Sequence, residues 1–267
     1  MPRRVAVGLS APGALVRRGD PDRFLPALFA PSPARETLFV LYAFNLELAR
    51  ACEMSREPHM ALIRLAWWRE VVEGAIRRHE VATPLSLALA EGRLERAALL
   101  SLIEAREDEV TPELPTLADW RRHMFASQGG LAATAGRALG ADAEPALMAF
   151  GAAYGAARLL RSISALARQG RVLLPKDVLV AQGLSPDSVT AGAQAAGLSG
   201  VRARLAAEAA SWLGEARRHI LPRAALPAAL PAVLAARDLC RPDEDAARPR
   251  GLGARLAVLT AAVSGRI

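Results

Sequence analysis

Residues 34–54 read ARETLFVLYAFNLELARACEM. Leu38, Leu41, Tyr42, Asn45, Leu48, Ala49 and Cys52 return at steps of three and four, the spacing of one helical face. The same period recurs along most of the chain, and no stretch of any length alternates at the two-residue period of a strand. This constraint leaves few architectures: helices must bury their apolar stripes against other helices. Composition agrees. Hydrophobic residues make up 52% of the 267 residues and aromatics only 4%. Ala and Leu, the strongest helix formers, supply most of the apolar share. The chain is long enough for a sizeable core, and an all-α, single-domain fold is expected.

Helix boundaries follow from breakers. Arg56-Glu-Pro58 ends the first long helix. The next run, PHMALIRLAWWREVVEGAIRRH, reads as a helix out to His79, with Ile63, Ala66, Trp67, Glu70, Val71 and Gly74 on its inner stripe. Further helices are predicted after Thr83-Pro84, over 94–110, from Leu117 to Leu139, over 143–168, and near 184–195, 200–219, 226–240 and 252–265. Gln128-Gly129-Gly130 lies inside one of them. Glycine in a helix interior costs about 1 kcal/mol relative to Ala, so the pair predicts a kink or a close approach by a neighbour or ligand. GAAYGAA at 151–157 predicts tight packing for the same reason. Residues 169–183 read as a loop with one extended piece, Arg171 to Pro175. Residues 1–18 are expected to be a flexible tail, too weakly hydrophobic for a secretory signal.

The net charge is +7, the sequence pI about 10.7, and Lys176 is the only lysine. Two causes fit: a general preference for Arg over Lys, or an anionic partner such as a phosphate or an acidic lipid surface. The arginines are scattered in pairs and match no nucleic-acid-binding module, so nucleic acid is not expected. Cys52 and Cys240 have no partners in a metal-ligand pattern and fit a reducing, cytoplasmic setting. No run approaches 18 apolar residues, so no membrane span is predicted. Peripheral contact with an inner membrane is left open.

Three blocks, DPDRFLPALFAPSPARETLFVLYAFNLELA, IRLAWWRE and GAAYGAARLLRSISALARQGRVLLPKDVL, resemble in order those of the squalene/phytoene synthase family. The resemblance implies an isoprenoid-synthase-like helical bundle around a central apolar cavity. It also implies two Asp-rich motifs facing each other. A diphosphate leaving group needs Mg²⁺, and Mg²⁺ takes carboxylate oxygens. The first motif falls on Ala49-Arg50-Ala51-Cys52-Glu53 and the second on Ser162-Ile163-Ser164-Ala165-Leu166. Only Glu53 survives as a weak metal remnant. A tyrosine usual in the following loop is Leu173, while Gly170, Arg171 and Pro175 are kept.

This pattern resembles a branch of the family that keeps Tyr42, Ala43, Phe44, Asn45 and Glu47 and lacks the acids. That branch includes a mitochondrial complex I assembly factor. The resemblance implies a binding or assembly protein with no cofactor. Its partners would be a prenyl or lipid ligand, or a protein of a respiratory complex. The alternatives are an active head-to-head prenyl diphosphate transferase and a peripheral, partner-binding helical protein whose cavity has collapsed.

Seven residues are candidates for ligand contact. Tyr42 and Asn45 lie on the stripe of the first helix. Asn45, the only asparagine, is either a polar tie between helices or a ligand contact, since a buried amide needs partners. Trp67 is expected to face the cavity, with Trp68 against a neighbouring helix; core filling is the alternative for both. Arg161, Arg168, Arg171 and Lys176 form a basic row suited to a phosphate, or simply a solvated surface. No catalytic residue is assigned. Glu104 and Asp108 read as a solvated face. The four histidines read as surface or helix-end residues.

Overall fold

The computed structural model describes residues 8–54, 57–192, 195–241 and 250–267. Among these residues fifteen α-helices follow one another: α1 (Ala11–Gly19), α2 (Pro21–Ala27), α3 (Ser32–Glu53), α4 (Pro58–Glu73), α5 (Ala82–Ala90), α6 (Arg96–Glu107), α7 (Leu117–Met124), α8 (Gly130–Ala138), α9 (Glu144–Arg168), α10 (Lys176–Val180), α11 (Pro186–Thr190), α12 (Ala195–Ala216), α13 (Leu226–Ala229), α14 (Pro231–Leu239) and α15 (Leu252–Ser264). A π-helical turn, Phe125–Gly129, joins α7 to α8, and a 3₁₀ turn, Arg223–Ala225, precedes α13. Among the described residues there is no strand. The all-α prediction holds.

The bundle is built around α9, which packs against α8, α12, α14 and the π turn. Its small residues set the spacing. A Cβ on Gly151 would lie 2.4 Å from the Gln128 carbonyl oxygen, and one on Gly129 2.8 Å from that of Met148. Only residues without a side chain allow backbones this close. The predicted close approach at Gln128-Gly129-Gly130 is therefore made by α9, at the π turn.

The N-terminal expectation is corrected. Of the tail predicted over 1–18, residues 1–7 lie outside the described residues and 11–18 belong to α1. Ser10 caps that helix, its Oγ accepting from Gly13 N at 3.1 Å, and Leu15 and Val16 are buried. Pro12 and Gly13 resemble a loop in sequence, yet Pro suits a first helical turn, and α1 packs on α3. A second correction concerns α4. It stops at Glu73 because Gly74 adopts φ 123°, so Arg77, Arg78 and His79 lie beyond it. Its buried residues are Ala61, Leu65, Trp68, Val71 and Val72, while Ile63, Ala66 and Glu70 face out. Two apolar registers coexist in this segment, and the bundle uses the other one. A third is α10, which forms inside the stretch read as a loop.

Candidate functional site

The site is a cleft between α3, α6, the π turn and α9, closed on one side by the 169–175 loop. Its free volume is about 130 Å³. The α3 side contributes Asn45, Ala49 and Glu53; α9 contributes Arg158, Ser162 and Leu166. Residues four apart share a helical face, so the first and last positions of both degraded motifs line one space. The two segments that the resemblance aligns with the motifs face each other across the cleft. The donors are not: these four positions supply one carboxylate, Glu53, and one hydroxyl, Ser162.

Cations occupy the cleft instead. Arg106, Arg158 and Arg171 line it together with Glu109. The Arg106 guanidinium donates to Glu109 at 2.8 and 2.9 Å and to Asn45 Oδ1 at 3.0 Å. Arg171 reaches Glu109 at 3.4 Å, and His123 Nε2 lies 3.3 Å from it. Glu109 is buried. Burial alone would raise its pKa, but Arg106, His123 and Arg171 outweigh that and hold it at about 2. Nearby Cys52 is pushed up to about 11, by burial and then by the Glu109 charge.

A second ionic group lies deeper. Asp20 caps α2, accepting from Arg23 N at 3.2 Å, and pairs with the Arg23 side chain at 2.7 Å. Arg23 donates onward to Gln128 Oε1 at 2.7 Å and lies over the rings of Tyr154 and Tyr42, at 4.7 and 5.7 Å. Arg158 reaches Asp20 at 3.5 Å. Burial raises the Asp20 pKa, but Arg23 and Arg158 bring it below the ordinary carboxylate value. The acids inside this bundle are thus neutralised by arginines. No group of three His, Cys, Asp or Glu side chains among the described residues could hold a metal. The Mg²⁺ that the motif pattern implies does not fit this donor set.

The predicted residues separate. Asn45 and Arg171 line the cleft, and Asn45 is at least a polar tie, to Arg106. Arg168 and Arg171 line an adjoining open groove with Cys52 and Glu53. Tyr42 is buried beside Arg23, away from the cleft. Trp67 does not face the cavity: it sits half-buried at the edge of α4, 4.8 Å from Trp68 and 5.7 Å from His79. Trp68 is the buried one, edge-on to Phe44 at 5.5 Å. Arg161 turns toward Asp238 at 3.6 Å, and Lys176 is exposed at the start of α10. The basic row is therefore split among different surroundings: Arg161 and Arg168 lie two turns apart along α9, and Arg171 and Lys176 lie beyond its end.

Five contributors were not among the candidates: Arg23, Arg106, Glu109, His123 and Arg158. Arg106 and Glu109 belong to EAREDE, whose Glu104 and Asp108 are indeed exposed. The three-residue step puts Arg106 and Glu109 on one helical face, but that spacing does not say which way the face turns. His123 is buried, not a surface residue.

Comparison with known proteins supplies the lineage. The squalene/phytoene synthase family model matches residues 16–251. Complex I assembly factor 6 of Homo sapiens is 26% identical over 249 residues, covering 86% of this chain and 75% of that protein. The Drosophila melanogaster homolog is 28% identical over 189 residues, and the match spans 57% of its length. A dehydrosqualene synthase crystallised with ligand superposes with a TM-score of 0.79 at 14% identity, covering 95% of this chain and 94% of that one. Squalene synthase HpnC from Alicyclobacillus acidocaldarius gives 0.66 at 20% identity, over 95% and 92%. The family model spans most of the chain and the helical arrangement is shared with solved synthases: the chain belongs to the squalene/phytoene synthase family.

Proposed function

We propose that this protein has lost Mg²⁺-dependent prenyl transfer and serves as an assembly factor for respiratory complex I. One observation carries the reading. The four positions where metal-gripping acids belong do line a common cleft, and three of the four have no carboxylate, while three arginines line the same space. A diphosphate ionises when metal neutralises it; here the cleft can pair with an anion but cannot hold the divalent ions that drive departure. Similarity to assembly factor 6 supports the choice of complex I.

The volume favours a particular form of this reading, in which the protein works through its surface. Small-molecule pockets span roughly 300–1,000 Å³, and about 130 Å³ falls short. Two experiments test the proposal. Purified protein incubated with farnesyl or geranylgeranyl diphosphate is expected to show no turnover that Mg²⁺ switches on; such turnover would make it a transferase. Deleting the gene is expected to lower mature complex I, and unchanged levels would remove the assembly role.

A further inference from the structure

The C-terminal helix α15 is apolar on two faces. Val258 and Ala261 are buried, and the helix packs on α14. On the other side Leu252, Leu256, Leu259 and Val263 are 76, 60, 39 and 77% exposed. Their steps of four, three and four make one continuous stripe. Arg255 is the only charged residue in α15. It is three residues from Leu252 and four from Leu259, at the edge of the stripe.

The helix is fixed in place. Arg250, just before it, donates to Asp22 at 2.7 Å and to both oxygens of Asp238 at 2.8 and 2.7 Å. Beside this clamp lies a groove of about 420 Å³ between α1, α2, α14 and α15. Phe24, Leu25, Leu28, Leu234 and Val258 form its apolar wall, and Arg17 and Arg255 stand at its rim. Neither of these two arginines has an ion pair among the described residues.

We propose that α15 and this groove dock on an anionic lipid bilayer, with the leucine stripe in the interface and Arg17 and Arg255 on acidic headgroups. Charge selects the occupant. An apolar helix face flanked by cations, on a chain of net charge +7, is the arrangement that binds acidic membrane surfaces. A second copy would bring the same unpaired arginines against each other. The inference is independent of complex I.

Flotation with vesicles tests it. The full chain is expected to bind vesicles of phosphatidylcholine and phosphatidylglycerol in equal parts, and to bind phosphatidylcholine alone weakly. The double variant Leu256→Glu/Val263→Glu changes only exposed positions, so its melting temperature should match the wild type. Its vesicle affinity should drop about tenfold or more. Arg17→Glu/Arg255→Glu should lose the preference for phosphatidylglycerol. A Leu256→Trp reporter should shift its emission to the blue on binding and thereby place the stripe in the interface. No binding by the wild type, or binding unaltered in both double variants, overturns the proposal. So does a wild-type dimer that Leu256→Glu/Val263→Glu dissolves without change in lipid binding.

Discussion

At the scale of single residues, Glu109 is the charge on which the cleft turns. It is buried and offsets Arg106 and Arg171 together. Removing one partner of a buried ion pair costs about 3–5 kcal/mol, because the other charge is left without compensation. Glu109→Gln is therefore expected to destabilise the protein by about that much at neutral pH, measured by urea denaturation. The pH dependence follows with a definite sign. The carboxylate titrates at about 2 in the folded state against 4.5 for the free group. Its contribution is complete above pH 4.5 and is lost as pH falls toward 2. The loss is on the order of 3 kcal/mol. Across that window the wild type should weaken while Glu109→Gln, which does not titrate, is spared this component. The two unfolding curves should converge near pH 2; a constant separation down to that pH would show that Glu109 is not held ionised.

At the scale of elements, the contact of α9 with the π turn makes a prediction from glycine alone. Gly151→Ala gains about 1 kcal/mol of helix propensity. It also places a methyl group 2.4 Å from the Gln128 carbonyl and 2.6 Å from Ala132 Cβ. Overpacking costs typically 1–3 kcal/mol, and backbone atoms in a packed bundle yield little. The substitution should be net destabilising by about 1–2 kcal/mol. At Gly214 in α12 an added Cβ would meet nothing within 4 Å, so the same change there should stabilise, by up to about 1 kcal/mol. Opposite signs in thermal melts check both. This contact was legible in sequence because paired glycines inside a helical pattern have few other causes. Helix order was legible for a similar reason, since the three-to-four period is local. The face of α4 was not: Ile63–Ala66–Trp67 and Leu65–Trp68–Val72 have equal periodicity, and only the packing on α3 and α6 chooses. The ionic cleft was harder still. Asn45 and Arg106 are 61 positions apart, and Glu109 and Arg171 are 62 apart. Nothing local to either partner distinguishes an arginine that turns inward from one that stays in water. The missing acids could be read because the family pattern fixes where they belong.

At the scale of the whole molecule, the ends of the chain are tied by charge. Asp22, in α2, and Arg250, before α15, are 228 positions apart, yet their side chains meet at 2.7 Å. Arg250 also grips Asp238 at the end of α14, and Arg161 approaches the same carboxylate from α9. Tyr154 donates its hydroxyl to Asp22 at 3.2 Å. One guanidinium thus joins α2 and α14 at the root of α15, while the apolar contact of α15 is confined to one face. Arg250→Ala leaves the half-buried Asp22 and the buried Asp238 short of their main cation. At about 3 kcal/mol or more for a stranded buried charge, and about 2–4 °C per kcal/mol for a chain of this size, the melting temperature should fall by about 10 °C. The loss should also be uneven. Amide exchange in α15 should accelerate before that of α9, because α9 is held by α8, α12 and α14 as well. Arg250→Ala/Asp238→Asn removes one of the stranded charges and should recover part of the melting temperature without restoring protection in α15. If the double variant melts no higher than the single one, Arg250 acts through packing of its stem and not through charge. If α15 exchanges no faster, its apolar face alone holds it to the bundle.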